Sequence, residues 1–204
     1  MTTTPLTLAS TSPRRRQLLT EWGYPHHAVK PPIDDGELVR GRVSASAWVA
    51  SLAFLKARSV WDTLDPTTGA STIVLAADTI VHKNGEILGQ PRDPADARRI
   101  VSTLISGTHR VLSGVCLIAQ GQRVWFVDAS IVTVGDVPVD AIEAYIDTGH
   151  WRGKAGGYNL HERIKDGWPI SYEGDDTSIM GLPMQRLSSE LDRLGLERIG
   201  TTPA

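Results

Sequence analysis

The segment LASTSPRRRQLL, residues 8–19, sets three consecutive arginines directly after Ser12 and Pro13. Ser12 is a good helix N-cap and proline is favoured at the first helical position, so Arg14, Arg15 and Arg16 fall in a first turn. The helix dipole disfavours cations there. Free N–H groups nevertheless make such a turn an anion site, and guanidinium groups add bidentate donors matched to phosphate oxygens. Two readings compete: three solvated arginines, or a phosphate group that accounts for them.

Two more charges stand in apolar company. Val49, Leu52, Lys56 and Val60 share one helical stripe, so Lys56 is directed toward the core side of its helix. A lysine so placed either snorkels to water or meets a carboxylate or phosphate. Asp78 interrupts the apolar run IVLAADTIV, residues 73–81, where an unpaired carboxylate would be costly. It requires a cation, a metal or hydrogen bonds, and a catalytic or metal-binding role competes with a structural ion pair.

Other groups carry weaker signals. Asp34 and Asp35 sit in the Pro/Gly-bounded loop PPIDDGE, and Asp175 and Asp176 in EGDDTSIMGLP. Such pairs are commonly solvated turn residues or helix caps. The six histidines show no H-E-x-x-H spacing, and RGKAGG at 152–157 is no Walker A loop, since its spacing is wrong and Ala155 replaces Ser/Thr.

The elements that must position these groups can be traced along the chain. A short apolar strand precedes Ser10. Helical patterns cover 12–22, 45–62, 94–105, 138–147 and 183–194, and strand patterns cover 73–81, 80–88 around an Asn-Gly turn, and 109–134 around QGQ. The segment LDPTTGAS, 64–71, is linker-like. Alternating helices and strands imply an α/β or α+β chain without internal repeats.

Composition narrows the function classes. The chain has 204 residues, 41% hydrophobic and 22% charged, with net charge -2 and its basic residues dispersed. That pattern fits a globular protein and gives no basic face for nucleic acid. A single cysteine, Cys116, cannot form an intramolecular disulfide, which fits a reducing compartment. No apolar run approaches the roughly 18 residues of a membrane span, and the first residues lack a signal peptide's basic and apolar regions. A cytoplasmic location is expected.

In order along the chain, LASTSPRRRQLL, LAFLKA, AADTIV, SGTHRVLSGV, KAGGYN and GDDTSIMGLP resemble the motifs of the Maf family of nucleotide pyrophosphatases, once called septum formation inhibitors. The resemblance implies an α/β (α+β mixed) fold similar to the inosine-triphosphatase type. It would have an elongated central mixed sheet flanked by helices and an active-site cleft between two lobes of one domain, residues 1–204. It also implies hydrolysis of a nucleoside triphosphate between its α and β phosphates with a divalent metal, Mg2+ or Mn2+, in house-cleaning of non-canonical or modified nucleotides. A nucleotide substrate and a homodimer are the partners it suggests, with no nucleic acid and no membrane.

Carried over residue by residue, Asp78 matches the family's proton acceptor, and Asp35 stands where a catalytic or metal-binding glutamate is usual. The resemblance makes Asp78 and Asp35 the metal ligands and Lys56 a catalytic phosphate neighbour. Ser10, Arg14, Arg15 and Lys154 match phosphate-side positions. Arg14 and Thr79 resemble the branch acting on dTTP and UTP. Two departures stand out. Leu160-His161-Glu162 replaces Ile-Gln-Gly, which puts His161 at a base-selecting position, and Gln90 replaces a lysine for which Arg92 is a candidate substitute. The departures motivate an alternative, a catalytically weak nucleotide-binding or division-control protein on the same scaffold.

Overall fold

The computed structural model describes residues 5–34, 38–65, 71–119 and 121–199. The chain opens with β1 (Leu6–Ala9), α1 (Pro13–Glu21), β2 (His27–Val29) and α2 (Ala45–Trp61). There follow β3 (Ile73–Lys83), β4 (Glu86–Leu88), α3 (Pro94–Leu104), β5 (Gly107–Ala119) and β6 (Gln122–Val134). The last third contains α4 (Val139–Thr148), a 3-10 turn (Ala155–Gly157), α5 (Leu160–Lys165), β7 (Ile170–Glu173), α6 (Asp176–Ile179) and α7 (Met184–Arg193).

The five helices expected from spacing are present, with Ser12, Ser44 and Asp93 as side-chain N-caps of α1, α2 and α3. The sequence patterns did not disclose β2, β7, α5 and α6, each of 3 to 6 residues. Elements this short show too few turns or alternations to establish a period. Most of the linker-like segment 64–71 lies outside the described residues.

The strands form a mixed seven-stranded sheet in the order β2-β1-β3-β5-β6-β7, with β4 on the far end of β3. β1 runs parallel to both β2 and β3, while β3, β5, β6 and β7 pair antiparallel. The chain thus leaves β1 for one neighbour and later returns to the other side. In open α/β sheets, a crevice forms at the carboxyl end of a strand so placed. Ser10, the first residue beyond β1, lies there.

Side-chain alternation along β3 decides what each sheet face sees. Ile73, Leu75 and Ala77 join Leu18 and Leu19 of α1 and Met184, Leu187 and Leu191 of α7 in one cluster. Val74 and Ala76 join Ala53, Ala57 and Val60 of α2 in another. A third cluster, built from α3, α4, Tyr158 and Trp168, packs on the far part of the sheet. By this parity Asp78 is presented to α2 and Thr79 to the α1 side. Among the described residues no helix is long and apolar enough to cross a membrane.

Opposite Asp78 in the sheet is Gly114 of β5. A Cβ there would lie 2.5 Å from the Val49 carbonyl oxygen of α2, so the glycine sets how closely that helix lies on the sheet. Backbone cannot yield as a flexible side chain can. Gly114→Ala is expected to destabilise the fold by about 1–3 kcal/mol, the usual cost of overpacking. A lowered urea midpoint with an unchanged slope would show it.

Candidate active site

Lys56 lies on the stripe of α2 that carries Val49, Ala53 and Val60 into the core, and its partner is Asp78. The ammonium is 2.6 Å from Asp78 Oδ1, and both side chains are nearly buried, at 14% and 12% exposure. The alternatives left open for Lys56 are thereby decided: it meets a carboxylate. Asp78 Oδ2 receives no hydrogen bond from the described residues.

On the other face of β3, Arg15 crosses from α1 to meet Thr79. Its Nη2 donates to Thr79 Oγ1 at 3.2 Å, its Nη1 to Ser10 Oγ at 3.3 Å, and its Nε to the Gly181 carbonyl at 2.9 Å. Ser113 Oγ donates to the Ser178 carbonyl at 2.8 Å, which uses its single hydrogen. The 2.9 Å contact between Thr79 and Ser113 therefore has Thr79 as donor. A directed chain runs from Arg15 through Thr79 and Ser113 to the α6 backbone. Threonine's hydroxyl serves in it both as acceptor and as donor.

Both sets of residues face one cavity of about 760 Å³. Six cationic side chains, Arg14, Arg15, Lys30, Lys56, Arg152 and Lys154, line it among the described residues, against two carboxylates, Asp78 and Glu162. The residues of α1's open N-terminus, Ser12 to Arg15, form part of the wall. Like charges gathered in a concave site repel one another and raise the local potential for anions. This resolves the arginine turn: Arg14 and Arg15 face the cavity, while Arg16 is exposed and absent from its wall.

Burial lowers the pKa of Arg14, opposed chiefly by the nearby charge of Glu162. Burial likewise lowers that of Lys154, whose ammonium donates to the His150 carbonyl and lies 3.3 Å from Glu162 Oε2. Asn159 caps α5 and holds Glu162 Oε1 at 2.6 Å. That cap turns Glu162 toward the cavity and His161 away from it. His161 lies 3.3 Å from Asp176 and is absent from the cavity wall, which differs from the base-selecting position expected for it. The sequence pattern singles out His161 and not Glu162, and adjacent helical positions point in directions about 100° apart.

The remaining candidates divide. Ser10, Thr79 and Gln90 line the cavity. Arg92 pairs with Asp96 at 3.1 Å, is 83% exposed and is not part of the wall, so it does not replace the missing lysine. Asp175 is a cap: it accepts from Thr177 N at 2.9 Å, Thr177 Oγ1 at 2.6 Å and Gln185 N at 3.2 Å. Asp35 lies outside the described residues. Among the described residues no group of three or more His, Cys, Asp or Glu side chains could hold a metal. Asp78's free carboxylate oxygen is nonetheless a hard donor of the kind Mg2+ shares with substrate phosphates and waters.

Behind the wall residue Tyr158 stands His109, 2% exposed, with Nε2 2.8 Å from the tyrosine hydroxyl. Burial, aided by the charge of Lys83, pushes the His109 pKa down from 6.5 to about 4.

Comparison with known proteins bears on the same residues. The family described as "Maf-like protein" matches residues 5–194. A Salinibacter ruber protein named dTTP/UTP pyrophosphatase is 37% identical over 185 residues, covering 90% of this chain and 87% of that protein. Proteins of the same name from Symbiobacterium thermophilum and an Anaeromyxobacter species are 34% and 37% identical, covering 93% of this chain and 94% and 89% of theirs. The solved structure of the Staphylococcus aureus Ham1 protein has a TM-score of 0.42 and 12% identity, covering 64% of this chain and 71% of that one.

Two expectations follow from the geometry. Lys56→Met strands the Asp78 carboxylate and should cost about 3 kcal/mol in urea denaturation, with part recovered when Asp78→Asn is added, since breaking a buried pair exceeds its net worth. His109 stays neutral in the fold but takes a proton when unfolded, so stability is lost as pH falls from about 6.5 toward about 4, by roughly 3 kcal/mol. His109→Gln should lose that part of the pH slope.

Proposed function

Because the chain belongs to the Maf-like protein family, we propose that it is a nucleoside triphosphate pyrophosphatase of the dTTP/UTP type, releasing a nucleoside monophosphate and pyrophosphate. The observation that carries this reading is the Asp78–Lys56 pair set in a cavity whose described wall has six cations and two carboxylates. Such a charge pattern matches a triphosphate far better than a neutral or cationic ligand. The likeness to proteins named dTTP/UTP pyrophosphatase, over 90% and 93% of this chain, supports the choice of bases.

In this mechanism Arg14, Arg15 and the α1 N-terminus bind phosphate oxygens, using the N–H groups and guanidinium forks described above. Asp78 holds the attacking water through Oδ2 and accepts its proton, while Lys56 keeps Oδ1 fixed. The water oxygen joins the α phosphorus, the bond from that phosphorus to the bridging oxygen breaks, and pyrophosphate leaves with that oxygen while the nucleoside monophosphate keeps the water's. Positioning and charge neutralisation supply most of the barrier reduction in such transfers. A divalent cation held by Asp78, Asp35 and the phosphates would neutralise charge on the transferred group. Thr79, held by its donor and acceptor bonds, presents a fixed hydroxyl-bearing wall to the nucleotide. Removing nucleotides that polymerases should not use is the role consistent with this chemistry.

Pyrophosphate release should be fastest with dTTP and UTP in a panel that includes CTP, ITP, GTP and 7-methyl-GTP, with Mg2+ or Mn2+ present. Asp78→Asn should lower kcat by at least about 100-fold, the scale of a lost general base. A best substrate outside dTTP and UTP would overturn the base assignment, and full activity in Asp78→Asn would overturn the role of that residue.

A further inference from the structure

Arg152 lines the cavity with its guanidinium over the Trp151 ring. Seven arginines, Arg58, Arg92, Arg98, Arg99, Arg163, Arg193 and Arg198, pair with a carboxylate within 3.3 Å among the described residues. Arg152 has no carboxylate partner among the described residues, yet it lines a cavity already crowded with cations. Its guanidinium is nonetheless held in place. The carbon Cζ sits 4.6 Å from the ring centre of Trp151, which is 2% exposed and anchored by an Nε1 bond to the Ile146 carbonyl at 3.0 Å.

The neighbouring helix end shapes the place where that guanidinium rests. Gly149 closes α4 in the left-handed conformation, with φ +69°, and a Cβ on it would fall 2.0 Å from Arg152 Nη1. Arg152 N also donates to the Gly149 carbonyl at 3.2 Å. A planar cation stacked on a buried ring loses little further freedom when it binds. An anion entering the cavity would offset the repulsion among its wall cations.

Gln90 occupies the same wall and brings no charge. It is tied to the loop that carries Arg152, since Gly156 N donates to the Gly89 carbonyl at 3.0 Å. On this side of the cavity Lys154 is partly engaged by Glu162. Arg152 lies on this side of the cavity with no carboxylate partner among the described residues, so its charge is available to a phosphate chain.

We propose that Arg152 is a further substrate-binding residue that takes the phosphate chain from the Gly-rich-loop side of the cavity. This rests on the nucleotide reading given above. The test is calorimetric binding of an α,β-methylene dTTP analogue and of inorganic pyrophosphate to the wild type, Arg152→Ala and Arg152→Lys, with melting temperatures alongside. Arg152→Ala should weaken both ligands about tenfold, as expected for loss of a charge-assisted contact, and Arg152→Lys should recover part of it. Melting temperatures should stay within about 2 °C, the range of a surface substitution.

Unchanged affinities in Arg152→Ala would overturn the assignment, as would weaker analogue binding with unchanged pyrophosphate binding. If the wild type binds the analogue but turns over none of the triphosphates, the enzymatic reading fails. The ratio of affinities still decides the role of Arg152 in that case. Absence of wild-type affinity for either ligand would overturn both.

Discussion

A carboxylate in the middle of an apolar strand needs a partner, and the site is organised around the one that Asp78 finds. The 2.6 Å contact with Lys56 joins β3 to α2 across the sheet face, and both groups are close to fully buried. Moving either element would expose an uncompensated charge to a low-dielectric interior, which is costly. The closeness of α2 to the sheet, permitted by Gly114, is thus coupled to the charge state of the site.

The same strand serves two chemistries because its side chains alternate. Asp78 faces α2 and Thr79 faces α1, so consecutive residues on opposite faces of the strand line one cavity. On the Thr79 side, a chain of hydrogen bonds runs from Arg15 to the Ser178 carbonyl, and Arg15 is also tied to Gly181. A guanidinium held at three points costs little reorganisation when a phosphate arrives, which is the physical content of preorganisation. The segment 178–181 is thus tied to the cavity wall through Arg15, Thr79 and Ser113.

The charge surplus in the cavity has a cost for the fold. Burial depresses the pKa of both Arg14 and Lys154, and Glu162 partly offsets that effect for each. Glu162 thereby offsets part of the cavity's positive charge and competes with any phosphate for the same cations. An acid at this point is compatible with anion binding because it is half-exposed and its hold on Lys154, at 3.3 Å, is loose.

Much of this was legible in the chain itself. The Ser-Pro start, the apolar stripe through Lys56 and the run around Asp78 are local patterns, and they define α1, α2 and β3 and mark their charged residues as unusual. Local pattern could not say that Lys56 and Asp78 are partners, because 22 residues separate them and the choice between snorkelling and pairing depends on which face of β3 lies under α2. Nor could it say that Glu162 turns inward while His161 turns to Asp176, since that follows from the Asn159 cap and the angle between successive helical positions. Sequence makes Arg92 a candidate to supply the missing charge and does not single out Arg152. The structure commits the first to Asp96 and leaves the second stacked on Trp151 at the cavity wall. Sequence sets residue type and local period, whereas the direction of a side chain and its nearest opposite charge exist only once distant segments are packed together.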